Sequence, residues 1–118
     1  MKPQSLQQLA EHLRQFAAER DWEQFHSPKN LAMALSVEVA EIVEHFQWLT
    51  EEQSRELDAA KREEVEHELA DALIYLVRLA DQLQIDLLEA AERKLSVNET
   101  KYPAERVRGS ARKYSDYD

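Results

Sequence analysis

Apolar side chains recur every three or four residues from the start of this chain. Leu6, Leu9, Leu13, Phe16 and Ala17 have the spacing of one face of an α-helix. Ser5 stands where it caps that helix, which the pattern carries to about Arg20. The segment DWEQFHSPKN then breaks the pattern. Ser27 followed by Pro28 predicts an N-cap with proline at the first helical position, opening a long helix to about Leu49. Thr50 and Gln53 have capping-box spacing and restart the chain. The charged stretch EEQSRELDAAKREEVEHE reads as a solvated face or a short connecting helix, leading into a third apolar-rich helix that reaches about Leu83. Asp86 is placed to cap a fourth helix, DLLEAAERKLSVNETK, which Pro103 keeps from extending far. No internal repeat or low-complexity segment interrupts this order.

Composition narrows the fold class. The 118 residues, 43% hydrophobic, contain one glycine, three prolines and no cysteine. Turn-makers are too few for a many-stranded β protein, and neither a disulfide framework nor a Cys-based metal site is available. The expectation is a single all-α domain over residues 1–118, a four- to five-helix bundle. The formal net charge of −9 argues against a duplex nucleic-acid binder, which needs a basic face. It leaves open a small anion bound through a metal. Residues 101–118 carry five basic and three acidic side chains, a +2 arm, so −9 less +2 leaves −11 on the body of the chain. No apolar run approaches a membrane span, and MKPQSLQQLAEH lacks the apolar core of a signal peptide. A soluble, cytoplasmic protein is therefore expected, with a reducing compartment permitted by the absent cysteines.

The candidate chemistry lies in acidic residues on apolar stripes. Leu31, Leu35, Glu38 and Ile42 are spaced by 4, 3 and 4, which puts Glu38 on the core-facing stripe of the second helix. Glu41 lies three residues further on the same side. On the third helix Glu68 and Asp71 repeat the spacing among Val65, Leu69, Ala72, Ile74 and Tyr75. Two such acid pairs face each other if the helices pack. An unpaired ionised carboxylate in that position must be neutralised, paired or bound to a cation. Outside the charged connector, only Lys29, His45, His67 and Arg78 offer positive charge on these helices. The bland alternative is that Glu38 and Glu41 are solvated and Asp71 pairs with Arg78, two turns along. The doubled arrangement favours a metal instead, and four hard oxygen ligands without a thiolate favour Mg²⁺ or Mn²⁺ over zinc. A di-iron bundle would need two Glu-x-x-His motifs. Glu64 and His67 supply one, but the residue three before His45 is Ile42.

With ExxE at Glu38 and Glu41 and ExxD at Glu68 and Asp71, the chain resembles the MazG-like all-α nucleoside triphosphate pyrophosphohydrolases, and within them the dCTP pyrophosphatase branch. The likeness runs through FAAERDWEQFHSPKNLAMAL, EVAEIVEHFQW, ELADALIYLVRLA and KLSVNETKYPAERVRGSARKYSD. Ala40 stands where many members carry glycine, a departure expected to alter packing more than chemistry. The resemblance implies hydrolysis of a deoxynucleoside triphosphate, dCTP or a C5-modified dCTP, to the monophosphate and pyrophosphate. It further implies Mg²⁺, with Mn²⁺ as a substitute, on Glu38, Glu41, Glu68 and Asp71, and Glu38 or Glu41 orienting the attacking water. A role in cleaning the nucleotide pool would follow.

Trp22 and Trp48 bracket the second helix, and rings of that size are ordinarily core or interface anchors. The resemblance implies that they form a base pocket with His26 and Tyr75. Lys94, Asn98 and Lys101 share one face of the last helix, as a solvated surface would; by resemblance Lys94 and Asn98 meet the triphosphate or ribose. Arg108, Arg112, Lys113 and Tyr114, with Gly109 and Ser110, then read as a phosphate-binding segment closing over the ligand, against the alternative of a disordered basic tail. Apolar residues around much of each helix, as in LAMALSVEVAEIV, predict a homodimer or homotetramer. Two other readings stand beside this one. The chain could act on dUTP or another triphosphate, or be a non-catalytic helical interaction module whose acids bind a partner or structural cation.

Overall fold

A computed structural model describes residues 2–111. The chain divides by its internal contacts into two units, 1–85 and 86–118. The described residues are all-helical, with four long helices and short connecting turns.

In the first unit, α1 (Leu6–Glu19) opens where Ser5 Oγ accepts the backbone N–H of Gln8 at 3.1 Å. It ends because Asp21 turns left-handed, φ 52°, and the Trp22 N–H folds back onto the Ala17 carbonyl at 2.9 Å. A 3₁₀ turn, Glu23–Phe25, follows. Ser27 caps α2 (Pro28–Phe46) through the Asn30 N–H, with Pro28 at the first helical position. The Asn30 side chain donates to the Phe25 carbonyl at 3.1 Å, so one residue ties the loop to the helix it precedes. α2 stops three residues short of the expected Leu49, since Thr50 restarts the chain with a complete capping box and needs extended backbone before it.

The charged stretch is not one element. α3 (Glu51–Ser54) is a single turn, after which Asp58 caps α4 (Ala59–Gln82), a 24-residue helix, by accepting the Lys61 N–H at 2.8 Å. α4 closes as α1 does, with Gln84 left-handed at φ 56° and the Ile85 N–H on the Ala80 carbonyl at 2.9 Å. A chain with one glycine thus places non-glycine residues at two left-handed helix ends, a conformation disfavoured by about 1–2 kcal/mol.

α4 packs along α2 and, more briefly, along α1. The buried apolar set is small: Ala17, Leu31, Val65, Val77 and Ala80. Much of the remaining apolar surface of α2 and α4 is exposed, including Met33, Val37, Val43, Leu69, Leu73 and Leu76. Leu69 is 54% exposed and Asp71 beside it is exposed too. The expected embedding of Asp71 among apolar neighbours is therefore not realised within one copy of the chain, because α4 buries one stripe while the run LADALIYLV is apolar nearly all round.

In the second unit Asp86 caps α5 (Leu87–Lys101) through the Glu89 N–H at 3.0 Å. α5 ends with the Tyr102 N–H on the Asn98 carbonyl at 2.7 Å, just before Pro103. A single turn, α6 (Ala104–Val107), leads to Gly109, which takes φ 78°, the left-handed region where glycine is favoured.

Leu31 is the largest fully buried side chain, 1% exposed. Leu31→Ala is expected to lower the unfolding free energy by about 2–5 kcal/mol, against about 1 kcal/mol for removing the α4 cap in Asp58→Ala. Urea denaturation of both variants measures the contrast.

Candidate metal centre

The α2–α4 packing brings three acids together. Glu38 and Glu41 stand one turn apart on α2, Glu68 comes from α4, and one oxygen of each lies within 4.8 Å of the others. Oε2 of Glu38 and Oε2 of Glu68 are buried without a hydrogen-bond partner. A buried carboxylate oxygen left unpaired is costly, and the cost falls on the ionised form. Burial first, then a hydrogen bond with Glu41 and the charges of Glu41, Asp71 and Glu68, push the Glu38 carboxyl up to about 7. Glu68 is raised as well, chiefly by a hydrogen bond with Glu41, then by burial and the charges of Glu41 and Asp71.

A divalent cation fits this place. It would take over the neutralising role of the proton, and the donors are all hard oxygens, the set preferred by Mg²⁺ or Mn²⁺. Asp71, one turn beyond Glu68, is outside the group of three, yet its charge raises both Glu38 and Glu68. At the edge of the cluster His45, in the last turn of α2, sets Nε2 3.9 Å from Glu68 and Nδ1 3.7 Å from Glu64. Lys61 Nζ lies 3.3 Å from the same Nδ1 and from Glu64.

The aromatic candidates divide between the two ends of α2. Trp22 meets the Phe16 ring edge-on at 5.7 Å and lies 6.4 Å from the His26 ring, while Arg20 stacks over Phe16 with its guanidinium carbon 3.6 Å from the ring centre. Trp48 follows the other end of the helix and is 87% exposed. The 19 residues of α2 span about 28 Å, so one base cannot touch Trp48 and the Trp22–His26 pair of the same chain. Tyr75, half-buried, stands one turn beyond Asp71 on α4. In the second unit Lys94 is exposed and Asn98 half-buried on adjacent turns of α5, and Arg108 is exposed. Arg112, Lys113 and Tyr114 lie outside the described residues.

The MazG-like family model matches residues 33–117. This chain belongs to the MazG-like family. Human dCTP pyrophosphatase 1 is 47% identical over 104 residues, covering 86% of this chain and 61% of the human protein. The mouse protein of the same name is 48% identical over the same length. The chain thus spans less than two thirds of these relatives. A solved structure of a pyrophosphatase from Archaeoglobus fulgidus superposes with a TM-score of 0.79 at 42% identity, covering 87% of this chain and 96% of that one.

The MazG-like chain holds one cluster that sequence reading missed. Arg78, 3% exposed, does not pair with Asp71. It donates to Asp81 at 3.3 Å and to His26 at 3.1 Å, and Arg14 of α1 clamps the far side of Asp81 with two bonds of 2.8 and 2.9 Å. The signal was available, because an arginine inside YLVRLA breaks an apolar run as Asp71 does.

The raised Glu38 value carries a sign. The folded chain keeps a proton that the unfolded chain, at the ordinary 4.5, has released. In metal-free buffer stability should therefore fall as pH rises from 4.5 through about 7. Thermal melts with chelator present are expected to show this slope, flattened in Glu38→Gln. Added Mg²⁺ should raise the melting temperature of the native chain, more at pH 8 than at pH 6, and leave Glu38→Gln nearly unmoved.

Proposed function

We propose that this chain hydrolyses a deoxynucleoside triphosphate, dCTP or a C5-modified dCTP, to the monophosphate and pyrophosphate, with Mg²⁺ or Mn²⁺ held by Glu38, Glu41, Glu68 and Asp71. The observation that carries this reading is the convergence of Glu38, Glu41 and Glu68 with two buried oxygens unpartnered. Among the described residues those two oxygens have no hydrogen-bond partner, and a hard divalent cation would supply one. The named activities of the dCTP pyrophosphatase 1 relatives and the Archaeoglobus pyrophosphatase point the same way.

A bound divalent ion supplies neutralisation of phosphate oxygens and polarisation of the phosphorus. The chain does the rest. Glu38 or Glu41 orients a water toward the α-phosphorus and accepts its proton, with pyrophosphate leaving in line. Trp22, His26, Trp48 and Tyr75 receive the base, while Lys94, Asn98, Arg108, Arg112, Lys113 and Tyr114 meet the triphosphate and sugar. The +2 arm, 101–118, closes over an anionic ligand that the acidic body of a single 1–118 domain would otherwise repel.

Assembly as a homodimer or homotetramer belongs to the same reading. Trp48 and the Trp22–His26 pair, at opposite ends of a helix about 28 Å long, meet one ligand if a second copy brings its Trp48 to this chain's loop. The exposed Met33, Val37, Val43, Leu69, Leu73 and Leu76 provide apolar surface for that contact. The setting is the cytoplasm, where such an activity removes unwanted nucleotides from the pool.

A panel of canonical and C5-modified dNTPs with Mg²⁺, read by pyrophosphate release, tests the proposal. dCTP or a C5-modified dCTP should lead, and Glu41→Gln should lower turnover by about 10²–10⁴-fold if it is the base. Asp71→Asn should remain folded and lose activity. Orthophosphate as the released product would overturn the assignment.

Truncation after Pro103 checks the arm separately. A raised KM for dCTP with the helical circular dichroism retained is expected, and an unchanged KM and kcat would reject the closing role.

A further inference from the structure

Arg78 is the buried charged residue of the described chain, and every part of its guanidinium is engaged. Nε donates to His26 Nδ1 at 3.1 Å. Nη1 donates to Asp81 Oδ2 at 3.3 Å. With the Gln82 amide oxygen turned toward it, Gln82 accepts from Nη1 at 3.3 Å and Nη2 at 3.1 Å. Asp81 cannot drift, because Arg14 holds both of its oxygens. His26 is fixed from its own side too, its backbone N–H bonded to the Glu23 carbonyl at 3.1 Å and its ring against Trp22.

This arrangement dictates where the imidazole proton sits. A guanidinium has five N–H donors and no acceptor. Any nitrogen that receives a bond from it must offer a lone pair, so Nδ1 of His26 is bare and the ring's proton is on Nε2. In water a histidine samples both tautomers and the charged form. Here a buried cation excludes two of the three. Val77, Leu79 and Ala80 surround position 78 in sequence, and packing alone would be met by another apolar side chain at lower desolvation cost. An arginine there is explained by what it does to the ring it touches.

We propose that Arg78 is a positioning residue that locks His26 as a neutral Nε2–H donor, directed at a lone-pair-bearing atom of the bound nucleotide. This rests on the pyrophosphohydrolase reading above, in which the loop carrying Trp22 and His26 receives the base. A fixed donor there favours a base edge with a carbonyl oxygen or bare ring nitrogen and disfavours one presenting an N–H. Burial and the nearby Arg78 charge both lower the His26 pKa, which keeps the ring neutral over a wider range of pH. The charge acting on the ring is Arg78 of α4, which with Asp81, Arg14 of α1, Glu23 of the preceding turn, Gln82 and Gln84 lines a cavity of about 480 Å³.

Long-range proton–nitrogen NMR of the full chain with ¹⁵N-labelled histidine reads the tautomer directly, with His26 assigned by its loss in His26→Asn. The expected native spectrum at pH 7 has Nδ1 unprotonated and Nε2 protonated. Arg78→Met should release the ring to a mixture of forms and raise KM for dCTP about threefold to tenfold, the loss of one oriented hydrogen bond, with kcat little changed. Arg78→Lys, which keeps charge and a donor, should recover part of both effects. A native ring that is Nδ1-protonated, mixed or charged at pH 7 overturns the proposal without needing any variant. A locked native ring that Arg78→Met unlocks with no change in KM overturns the role toward the nucleotide while the hydrolysis reading stands. If the native chain cleaves no nucleotide, the hydrolysis reading fails and that role with it, and the tautomer spectrum still decides whether Arg78 governs the ring.

Discussion

Three carboxylates whose oxygens lie within 4.8 Å of one another cannot all be ionised in a partly buried helix interface unless something positive stands among them. Burial and the neighbouring carboxylates disfavour the ionised forms of Glu38 and Glu68, and both carboxyls are raised above their ordinary range. Protonation satisfies the charges but leaves Glu38 Oε2 and Glu68 Oε2 unpartnered. The α2–α4 contact, the main contact of the first unit, is therefore built around a cost that its small apolar core does little to offset. Val65, one turn before Glu68, is buried and Leu31 two turns before Glu38 is fully so.

The sequence made the helix starts readable because caps are local. Ser5, Ser27 with Pro28, Thr50 with Gln53, and Asp86 each act on a backbone N–H three residues ahead, and nothing distant is needed to make them work. Asp58 does the same but was hidden in a run of charges where one more acid carries no contrast. Helix ends were harder. A glycine after a helix is a visible stop signal, whereas Asp21 and Gln84 take the same left-handed backbone with side chains that do not announce it.

The site divides along the same line. The i,i+3 spacing of Glu38 with Glu41 placed two of the three converging acids on one face, and the apolar run around Glu68 supplied the third. The surroundings of Asp71 were not legible, because an apolar pattern states which residues avoid water and says nothing of which copy of the chain covers them. Leu69, Leu73 and Leu76 on α4 are exposed in one copy. The split of the aromatic candidates was already implicit in the predicted second helix, since Trp22 and Trp48 bracket roughly twenty residues of helix, about 30 Å.

Arg78 pairs with the nearer of two acids along the helix. Asp71 lies seven residues back, about 10 Å along the axis, whereas Asp81 is on the adjacent turn and already carries Arg14 on its other face. Arg14 alone would saturate an exposed aspartate; here Asp81 is shared by two arginines, and the second is oriented away from the acidic half of α4 toward His26. The consequence reaches the acid cluster. If Arg78 were free to swing back along α4, its charge would neutralise Asp71 and compete with a cation for the site. By engaging the guanidinium with Asp81 and His26, the α1–α4 contact keeps Arg78, the buried positive charge among the described residues, directed away from the acids.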